Sequence, residues 1–294
     1  MSIPSLEHGY PASGEDFPAV LDGAICRVGE AFIPATDDGL LRGDGAFEAV
    51  RVYLGHPFVL KAHLDRLVNS CGILLLDCPR DELETEIDEL VALCGRASFD
   101  LRIVVTRGGH RFAFAEPFLA PPATARLGLV VDTPRLVLVG AKTLSYAGNM
   151  LARRRAVAAG ADEALLVTPE GTVLEAQTAA LFFVDGAGRL RTPPLAEGIL
   201  DSITRRGIVA RHEVLQEPCR VDEVLACREA FLAGTRFEVR PVSAVDGQTI
   251  EAPGPVTTEI RRAYWWTVEQ ETGIERLEHV AYLERIGVGA PPFS

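Results

Sequence analysis

Lysine is almost absent from this sequence. Only Lys61 and Lys142 occur among its 294 residues, and the other 27 of the 29 basic side chains are arginine. Lysine differs from arginine because its amine can lose a proton and then act as a nucleophile. Lys142 comes soon after the apolar run VLVG, which predicts a position at the edge of a hydrophobic core. Such a position disfavours the charged form of an amine. We therefore interpret Lys142 as a chemically active amine, against the alternative of a solvated charge at a loop–helix junction.

Other features that the sequence lacks disfavour whole classes of protein. The net charge of −12 argues against a basic surface that would bind nucleic acid. No apolar run approaches the length of a membrane span, and the first residues lack the pattern of a signal peptide. The six cysteines form no C-x-x-C pair, which favours reduced thiols. We predict a cytoplasmic protein with no nucleic-acid or membrane partner and no metal site.

The hydrophobic pattern predicts an α/β protein with mixed sheets (α+β) rather than strict β-α-β alternation. Hairpins are predicted around Gly29 and at Leu54–Gly55, and amphipathic helices over KAHLDRLVNSCGIL and RDELETEIDELVALCG. The length suits two domains, and the loop EPFLAPPATA marks a boundary. We divide the chain into a flexible leader (1–18), a small N-terminal α/β domain (19–133), a linker (134–141) and a larger C-terminal domain (142–294).

Two segments have the features of a phosphate site. In GILDSITRRG, a helix capped by Asp201 or Ser202 would present the unpaired N–H groups of Ile203 and Thr204 to an anion. In LAGTRFEVRPV, Gly234 permits close approach of a ligand and Thr235 adds a hydroxyl. An ordinary capped helix and a strand-end turn are the alternatives.

Two charged side chains have less common positions. Arg66, in HLDRL, offers a bidentate contact to phosphate, although an exposed helical arginine has the same pattern. Glu175, in GTVLEAQTAALFF, stands between two apolar strands. It either faces water at a strand end or holds a proton on a ring nitrogen, as a pyridoxal cofactor requires.

These segments, in this order, resemble the class IV (fold type IV) pyridoxal-phosphate aminotransferases, which include branched-chain and D-amino acid aminotransferases, (R)-amine transaminases and aminodeoxychorismate lyase. The resemblance covers about residues 20–250. It is carried by LLRGDGAFEAVRVYLGHPFVLKAHLDRL, AKTLSY, GADEALLVTPEGTVLEA, TPPLAEGILDSITR and FLAGTRFEVRPV.

The resemblance implies a two-domain enzyme with its active site at the domain interface, pyridoxal 5'-phosphate as cofactor, residues 142–294 as the cofactor-binding domain, and a homodimer. Lys142 would bind the cofactor as a Schiff base and move the substrate proton, and Glu175 would pair with the ring nitrogen. The remaining cofactor contacts implied are Arg66, Ile203, Thr204, Gly234 and Thr235 at the phosphate, Leu200 on the ring face and Tyr146 near the ring hydroxyl.

Three departures from the family pattern affect the expected cofactor and substrate contacts. EAQTAA replaces the common EGSTSN, so that Gln177 stands for a serine and Ala180 for an asparagine. Leu40 stands where many members have a tyrosine three residues before GDG, which removes a hydroxyl. GTRFEVRPV places Arg236 beside the expected phosphate site.

An amino-acid donor needs a partner for its carboxylate, and arginine is the best suited side chain. The candidates are Arg42, Arg102, Arg111 and Arg236, with His110 and Leu40 as further substrate contacts. Each arginine alone has a surface role as its alternative.

The sequence thus predicts a transaminase that exchanges an amino group between an amino acid or primary amine and a keto acid by ping-pong kinetics. We favour D-amino acid or (R)-amine donors, because the branched-chain pattern is not evident around residues 100–108. A branched-chain L-amino acid aminotransferase and an aminodeoxychorismate lyase that releases pyruvate are the alternatives. A vitamin carrier without turnover is disfavoured, since Lys142 and Glu175 serve chemistry more than retention.

Overall fold

The computed structural model describes residues 3–120, 122–132 and 136–288. They form two compact units. Unit 1 contains residues 3–120, 141–145 and 267–288, and unit 2 contains 122–132, 136–140 and 146–266. Residues 134–135 of the predicted linker and 289–294 of the predicted C-terminal domain lie outside the described residues. Residues 141–145 and 267–288 belong to unit 1 although they come at or after the end of that predicted linker.

Unit 1 is built on one antiparallel sheet of six strands, in the order β2-β1-β6-β5-β3-β4. Its elements, in chain order, are β1 (Pro18–Leu21), β2 (Ala24–Arg27), α1 (Asp38–Arg42), β3 (Gly45–Tyr53), β4 (His56–Pro57), α2 (Leu60–Ile73), α3 (Arg80–Cys94), β5 (Phe99–Thr106) and β6 (Arg111–Pro117). Helix α2 packs on β3, and α3 packs on β1 and β6.

The two faces of this sheet differ in burial. One face alternates fully buried positions along the central strands, among them Glu48, Val50, Leu101 and Ile103. On the opposite face, Phe47 pairs with Val104, and Ala49 pairs with Arg102. The residues of this second face that are half-buried are Ala49, Arg102, Val104, Phe112, Phe114 and Glu116. One face of unit 1 is therefore a packed core, and part of the other is accessible.

The first hairpin turns earlier than the sequence pattern predicts. Strands β1 and β2 pair through Leu21 and Ala24, with Asp22 and Gly23 both at positive φ (51° and 85°). Asp-Gly is the dipeptide that such a two-residue turn favours. The prediction of a hairpin around Gly29 is wrong, because residues 28–30 form a short 3₁₀ helix. The hairpin at Leu54–Gly55 is confirmed.

The predicted flexible leader is packed onto unit 1 where it is described. Leu6 is fully buried, and its N–H donates to the Cys94 carbonyl at 2.9 Å. The Tyr10 hydroxyl accepts from the Phe118 N–H at 3.1 Å. Burial of Leu6 contributes hydrophobic stabilisation that holds this segment on unit 1, although its polar composition predicts a flexible segment.

Unit 2 is a mixed sheet of ten strands, in the order β12-β11-β10-β14-β15-β7-β8-β9-β13, with β16 paired to β15. Its elements are β7 (Ala125–Val131), α4 (Ala147–Ala158), β8 (Glu163–Val167), β9 (Thr172–Ala176), β10 (Ala180–Val184), β11 (Leu190–Thr192), α5 (Ile203–Val209), β12 (Leu215–Gln216), β13 (Cys219–Arg220), α6 (Val221–Leu225), β14 (Glu229–Gly234), β15 (Glu238–Val245) and β16 (Gln248–Thr249). Helix α7 (Pro255–Thr272) begins in unit 2, and α8 (Arg276–Arg285) lies in unit 1.

The core of unit 2 is a cluster of buried aliphatic and aromatic side chains from its central strands, including Leu127, Leu165, Leu181, Phe183 and Leu232. Parallel pairing joins β15 to β7 and β7 to β8, and the other central pairs are antiparallel. The mixed sheets with helices confirm the predicted fold class. Among the described helices, none is both long and apolar enough to cross a membrane.

Candidate active site

Lys142 lies on a segment that extends the sheet of unit 1. The N–H of Phe47 donates to the Lys142 carbonyl at 3.1 Å, and the Leu144 N–H donates to the Gly45 carbonyl at 2.8 Å. The segment pairs with the start of β3 because β4 pairs only with its end. Gly45 makes this approach possible, since a Cβ there would lie 2.5 Å from the side chain of Leu144 and from the Val105 carbonyl.

The amine of Lys142 stands over an aromatic ring. Its Nζ is 4.3 Å from the ring centroid of Phe47. The guanidinium carbon of Arg102 is 5.3 Å from the centroid of the same ring. Arg102 also makes an ion pair with Glu116, in which its Nε and Nη2 donate to Oε2 at 3.2 and 2.9 Å. The structure thus brings Lys142 and one predicted carboxylate-binding arginine to a single side chain.

Arg66 is buried against the carboxylate of Glu48. It is therefore not the exposed helical arginine that one of the two sequence interpretations described. Its Nε donates to Glu48 Oε1 at 2.6 Å and its Nη2 donates to Oε2 at 2.8 Å. The Nδ1 of His63 lies 2.8 Å from the same Oε2. His63 and Arg66 are three residues apart on α2, so both side chains face β3.

The charges of this cluster follow from its burial. Burial raises the pKa of the Glu48 carboxyl, but the charge and hydrogen bonds of Arg66 and the hydrogen bond of His63 lower it by more than burial raises it. The resulting pKa is about 2. Burial lowers the pKa of His63 more than the Glu48 hydrogen bond raises it, and the charges of Arg66 and Lys142 lower it again. Glu48 is therefore ionised and His63 neutral at pH 7. Because a carboxylate only accepts, the Nδ1 of His63 carries the proton.

A hydroxyl connects the two basic residues of unit 1. The Ser70 Oγ–H donates to the Arg66 carbonyl at 2.9 Å, and Ser70 Oγ accepts the Lys142 N–H at 3.0 Å. Ser70 is fully buried. The backbone of Lys142 is thereby attached to the helix that carries Arg66.

In unit 2, Glu175 is fixed near the end of β9. Its Oε1 accepts the N–H of Leu200 at 3.1 Å. Burial lowers the pKa of Arg205, and the charges of Asp201 and Glu175 partly offset that effect. Glu175 and Leu200, which were predicted for the ring nitrogen and the ring face, are thus direct neighbours.

The start of α5 retains free donors. Ser202 is its N-cap, and its hydroxyl accepts the Arg205 N–H at 3.4 Å. Within the described part of the chain, no acceptor takes the N–H of Ile203 or of Thr204. Helix α5 packs against β14, which ends at Gly234 and is followed by the half-buried Thr235. A Cβ at Gly234 would lie 3.4 Å from the Thr178 carbonyl and the Ala179 methyl, so that this strand end is closely packed.

Tyr146 is held by a carbonyl. Its hydroxyl donates to the Gln177 carbonyl at 3.1 Å, and Asn149 Nδ2 donates to the same oxygen at 2.6 Å. The side chain of Gln177 accepts the Ala164 N–H at 2.7 Å and donates to the carboxylate of Glu163. The sequence departure at Gln177 therefore supplies a buried hydrogen-bonded network.

The other predicted substrate residues make contacts of their own in unit 1 or lie in unit 2. Leu40 and Arg42 are on α1, where Leu40 is exposed and Arg42 pairs with Asp38. His110 Nδ1 lies 2.7 Å from Asp22, and Arg111 Nε lies 2.8 Å from Glu86. Arg236, in unit 2, is half-buried in the turn between β14 and β15.

Comparisons with known proteins identify the family of this chain. The model of the family "Amino-transferase class IV" matches residues 45–245. The chain belongs to the class IV aminotransferases. A putative branched-chain-amino-acid aminotransferase of Methanocaldococcus jannaschii is 32% identical over 271 residues, which cover 83% of this chain and 94% of that relative. A D-alanine aminotransferase of Bacillus licheniformis is 29% identical over 278 residues, which cover 86% and 98%.

Solved structures give the same family. The branched-chain aminotransferase of Thermoproteus uzoniensis, with norvaline, aligns with a TM-score of 0.79 and 29% identity, covering 91% of this chain and 97% of the other. A branched-chain amino acid aminotransferase in complex with N-(5'-phosphopyridoxyl)-L-glutamate aligns with the same TM-score, 0.79, and 30% identity, covering 90% and 97%. This aminotransferase therefore transfers amino groups and depends on pyridoxal phosphate, as class IV members do.

The residues of each unit suit parts of that cofactor. Unit 1 carries the amine of Lys142 and the guanidinium of Arg66, which are suited to an aldehyde and a phosphate. Unit 2 carries the carboxylate of Glu175 beside Leu200, and the Ile203 and Thr204 N–H groups without a protein acceptor among the described residues. A ring nitrogen and a phosphate are the groups that this second set would bind.

Four residues of these networks were missed by sequence reasoning: Phe47, Glu48, His63 and Ser70. One signal was available for two of them. Glu48 is a charged residue within the apolar strand GAFEAVRVY, and His63 precedes Arg66 by three residues on a predicted helix. Nothing in the sequence distinguishes Ser70.

Proposed function

We propose that this aminotransferase moves an amino group from an amino acid or primary amine to a keto acid by ping-pong kinetics, with Lys142 as its reactive amine. The observation that carries this proposal is the placement of Lys142 Nζ over Phe47, on a backbone held by β3 and by Ser70. The face of an aromatic ring attracts an ammonium and so holds the Lys142 amine in place. A fixed backbone also limits the positions that the amine can reach, which favours proton transfer over a defined path.

Each residue has one task in this proposal. When bound, pyridoxal phosphate supplies an electron sink for the α-carbon of the donor. Lys142 would act as the base that takes up the proton of that carbon and as the acid that gives it back during the transfer. Glu175 would keep the ring nitrogen protonated, Tyr146 would orient the ring hydroxyl, and Leu200 would pack on the ring. Arg66, Ile203, Thr204, Gly234 and Thr235 hold the phosphate.

Arg102 is our choice among the arginines for the carboxylate of the donor. It lies on the half-buried face of unit 1, and its guanidinium approaches the same Phe47 ring as the Lys142 amine. Its pair with Glu116 is partly exposed, at 22% and 24% of the two side chains, so a second carboxylate can approach. Arg42 and Arg111 pair with Asp38 and Glu86 instead.

For the stereochemistry we propose D-amino acid or (R)-amine donors. The resemblance to a D-alanine aminotransferase over 98% of that relative supports this choice. A branched-chain L-amino acid aminotransferase is the second candidate, and the relative that is 32% identical favours it.

A half-reaction tests both. The purified enzyme with bound cofactor is mixed with a single donor and no acceptor, and the absorbance band of the cofactor is followed. Conversion by D-alanine or an (R)-amine, but not by L-leucine, is expected. Conversion by L-leucine alone would replace the stereochemical proposal with the second candidate. Lys142→Ala is the control, and conversion at the full rate in that variant would contradict the role of Lys142.

Aminodeoxychorismate lyase chemistry is distinguished by its lack of an amino acceptor. A transaminase stops after one turnover without keto acid, because its cofactor keeps the amino group. A lyase continues and releases pyruvate. We expect a single turnover, and steady pyruvate release from aminodeoxychorismate in the absence of keto acid would favour the lyase.

Two further expectations accompany the function. We propose a homodimer, which the family resemblance supports and which sedimentation of the holoenzyme tests. We also propose a cytoplasmic location, and the six free cysteines support it because reduced thiols are typical of that compartment. Fractionation of the native cells tests the location.

A further inference from the structure

The carboxylate of Glu48 is among the most fully buried charges of unit 1, yet it is not itself a candidate for contact with cofactor or substrate. It is 0% exposed, and it accepts from three donors: Arg66 Nε, Arg66 Nη2 and His63 Nδ1. Burying a carboxylate costs several kcal/mol of desolvation, and an apolar side chain at this position of β3 would avoid that cost. We therefore expect Glu48 to have a role beyond packing.

We propose that Glu48 is a positioning residue, which aims the guanidinium of Arg66 and thereby determines how tightly the enzyme holds the phosphate of its cofactor. The proposal rests on the phosphate role of Arg66 given above. Glu48 touches neither the phosphate nor the reacting atoms in this account. It acts through Arg66 alone.

The geometry supports positioning more than simple charge balance. Two parallel bonds, of 2.6 and 2.8 Å, fix the plane of the guanidinium as well as its place. A planar fork held along its Nε–Nη2 edge has the direction of its Nη1 group determined, because the guanidinium is rigid. A single charge contact would leave that direction open.

Glu48 is itself held from two sides. Its backbone belongs to the β3–β5 ladder, where Glu48 pairs with Ile103. Its Oε2 is shared between Arg66 and the neutral His63, whose ring is 1% exposed. The carboxylate therefore has little freedom to follow a moving arginine, and the arginine follows the carboxylate instead.

A variant that keeps the charge but shortens the side chain separates positioning from charge. Glu48→Gln would leave the charge of Arg66 unbalanced, which strengthens its attraction to phosphate while loosening its orientation. Glu48→Asp keeps the charge and withdraws the carboxylate by about 1.5 Å, one carbon–carbon bond. From a strand fixed by its ladder, the aspartate cannot reach both nitrogens of Arg66 and His63.

The experiment measures the dissociation constants of pyridoxal and of pyridoxal phosphate for the apoenzyme, and divides the first constant by the second. This ratio reports the contribution of the phosphate and cancels effects on the rest of the site. We expect Glu48→Asp to reduce the ratio about tenfold, by analogy with the loss of a supporting partner in metal sites, with pyridoxal bound as in the wild type. Arg66→Ala should reduce the ratio further, and Glu48→Asp in that background should then have no effect.

The matched control is Asp100→Asn, which disrupts another buried ion pair of β3, between Arg51 and Asp100 at 2.8 Å. We expect lower stability and an unchanged ratio. If Arg66→Ala lowers the ratio but Glu48→Asp does not, the proposal for Glu48 is wrong and the phosphate role of Arg66 stands. An unchanged ratio in Arg66→Ala would overturn both.

A second variant serves if Glu48→Asp does not fold. His63→Leu leaves the Glu48–Arg66 pair intact and removes the third donor. We expect the ratio to fall about threefold, because a lost hydrogen bond to a charged group loosens the carboxylate by a fraction of its roughly 1.5–3 kcal/mol. No change of the ratio in folded His63→Leu would contradict the proposal.

Discussion

Replacement of Arg102 by glutamine tests how the enzyme recognises its donor. The side chain of Arg102 is 22% exposed and pairs with Glu116. Its guanidinium approaches the ring of Phe47, which the amine of Lys142 also contacts. If Arg102 binds the donor carboxylate, the change removes a charge-assisted hydrogen bond. Such bonds contribute about 1.5–3 kcal/mol. The kcat/KM for an amino acid should therefore fall by roughly 10- to 150-fold, at about 1.4 kcal/mol per factor of ten.

The stability of the same variant should change little. The Arg102–Glu116 pair is partly exposed, and such pairs contribute about 0–1 kcal/mol to folding. A loss of activity in Arg102→Gln is then a loss at the site, which thermal denaturation of wild type and variant verifies.

The decisive assay compares donors that have and lack a carboxylate. Initial rates are measured with alanine of the preferred hand and with 1-phenylethylamine of the same spatial arrangement. The loss should appear with alanine only, since the amine has no group for Arg102 to bind. Arg42→Gln, an exposed residue paired with Asp38, is the control. Equal losses for both donors, or no loss for either, would refute the assignment of the carboxylate to Arg102.

Glu175→Gln is expected to reduce the rate of the half-reaction about 100-fold or more, because a carboxylate placed against developing charge has an effect of that order. The absorbance of bound cofactor should persist in this variant. Retention of the wild-type rate would exclude the role of Glu175 at the ring nitrogen. Asp100→Asn should lower the free energy of unfolding, measured in urea, by about 3 kcal/mol, because it removes the carboxylate that pairs with the fully buried Arg51. A decrease of less than about 1 kcal/mol would contradict this prediction. The stability of the enzyme should also fall in mild acid. Burial, with the charge of Arg51, lowers the pKa of His279 to about 3, whereas an unfolded histidine titrates near about 6.5. The unfolded chain therefore binds one more proton between these values, and this site destabilises the fold by up to about 1.4 kcal/mol per pH unit as the pH falls from about 6.5 towards 3. Urea unfolding at pH 7 and 5 should show a smaller pH dependence in His279→Phe, with the exposed His56→Asn as control; an equal dependence in wild type and His279→Phe would count against it.

Local patterns predicted those parts of the fold that depend on neighbouring residues. The helix α3 follows from the spacing of Leu83, Ile87 and Leu90, which are all buried, and ends before Gly95 at φ 72°. The turn at Leu54–Gly55 follows from its glycine at φ 85°. The hairpin around Gly29 was wrong because alternation was given more weight than the Asp22–Gly23 dipeptide, which favours the tight turn that the structure has.

The candidate site depends on pairings that a linear pattern does not contain. Arg66 was predicted as a phosphate ligand, but its pairing with Glu48 requires α2 to pack on β3. The approach of Lys142 and Arg102 to Phe47 depends on the register of β5 with β3 and on the bonding of residues 142–144 to β3. These are long-range consequences of strand order, whereas residue type and spacing describe only the chain nearby.

The most direct test of the central claim uses the scarcity of lysine. The holoenzyme is reduced with borohydride, which makes the bond between a lysine and the cofactor permanent, and digested for mass spectrometry. Only two peptides can carry the phosphopyridoxyl group, since Lys61 and Lys142 are the lysines of the chain. Lys61 is 80% exposed on α2 and pairs with Asp65, so it serves as an internal control. We predict the label on Lys142 alone. A label on Lys61, or on neither lysine, would contradict the account.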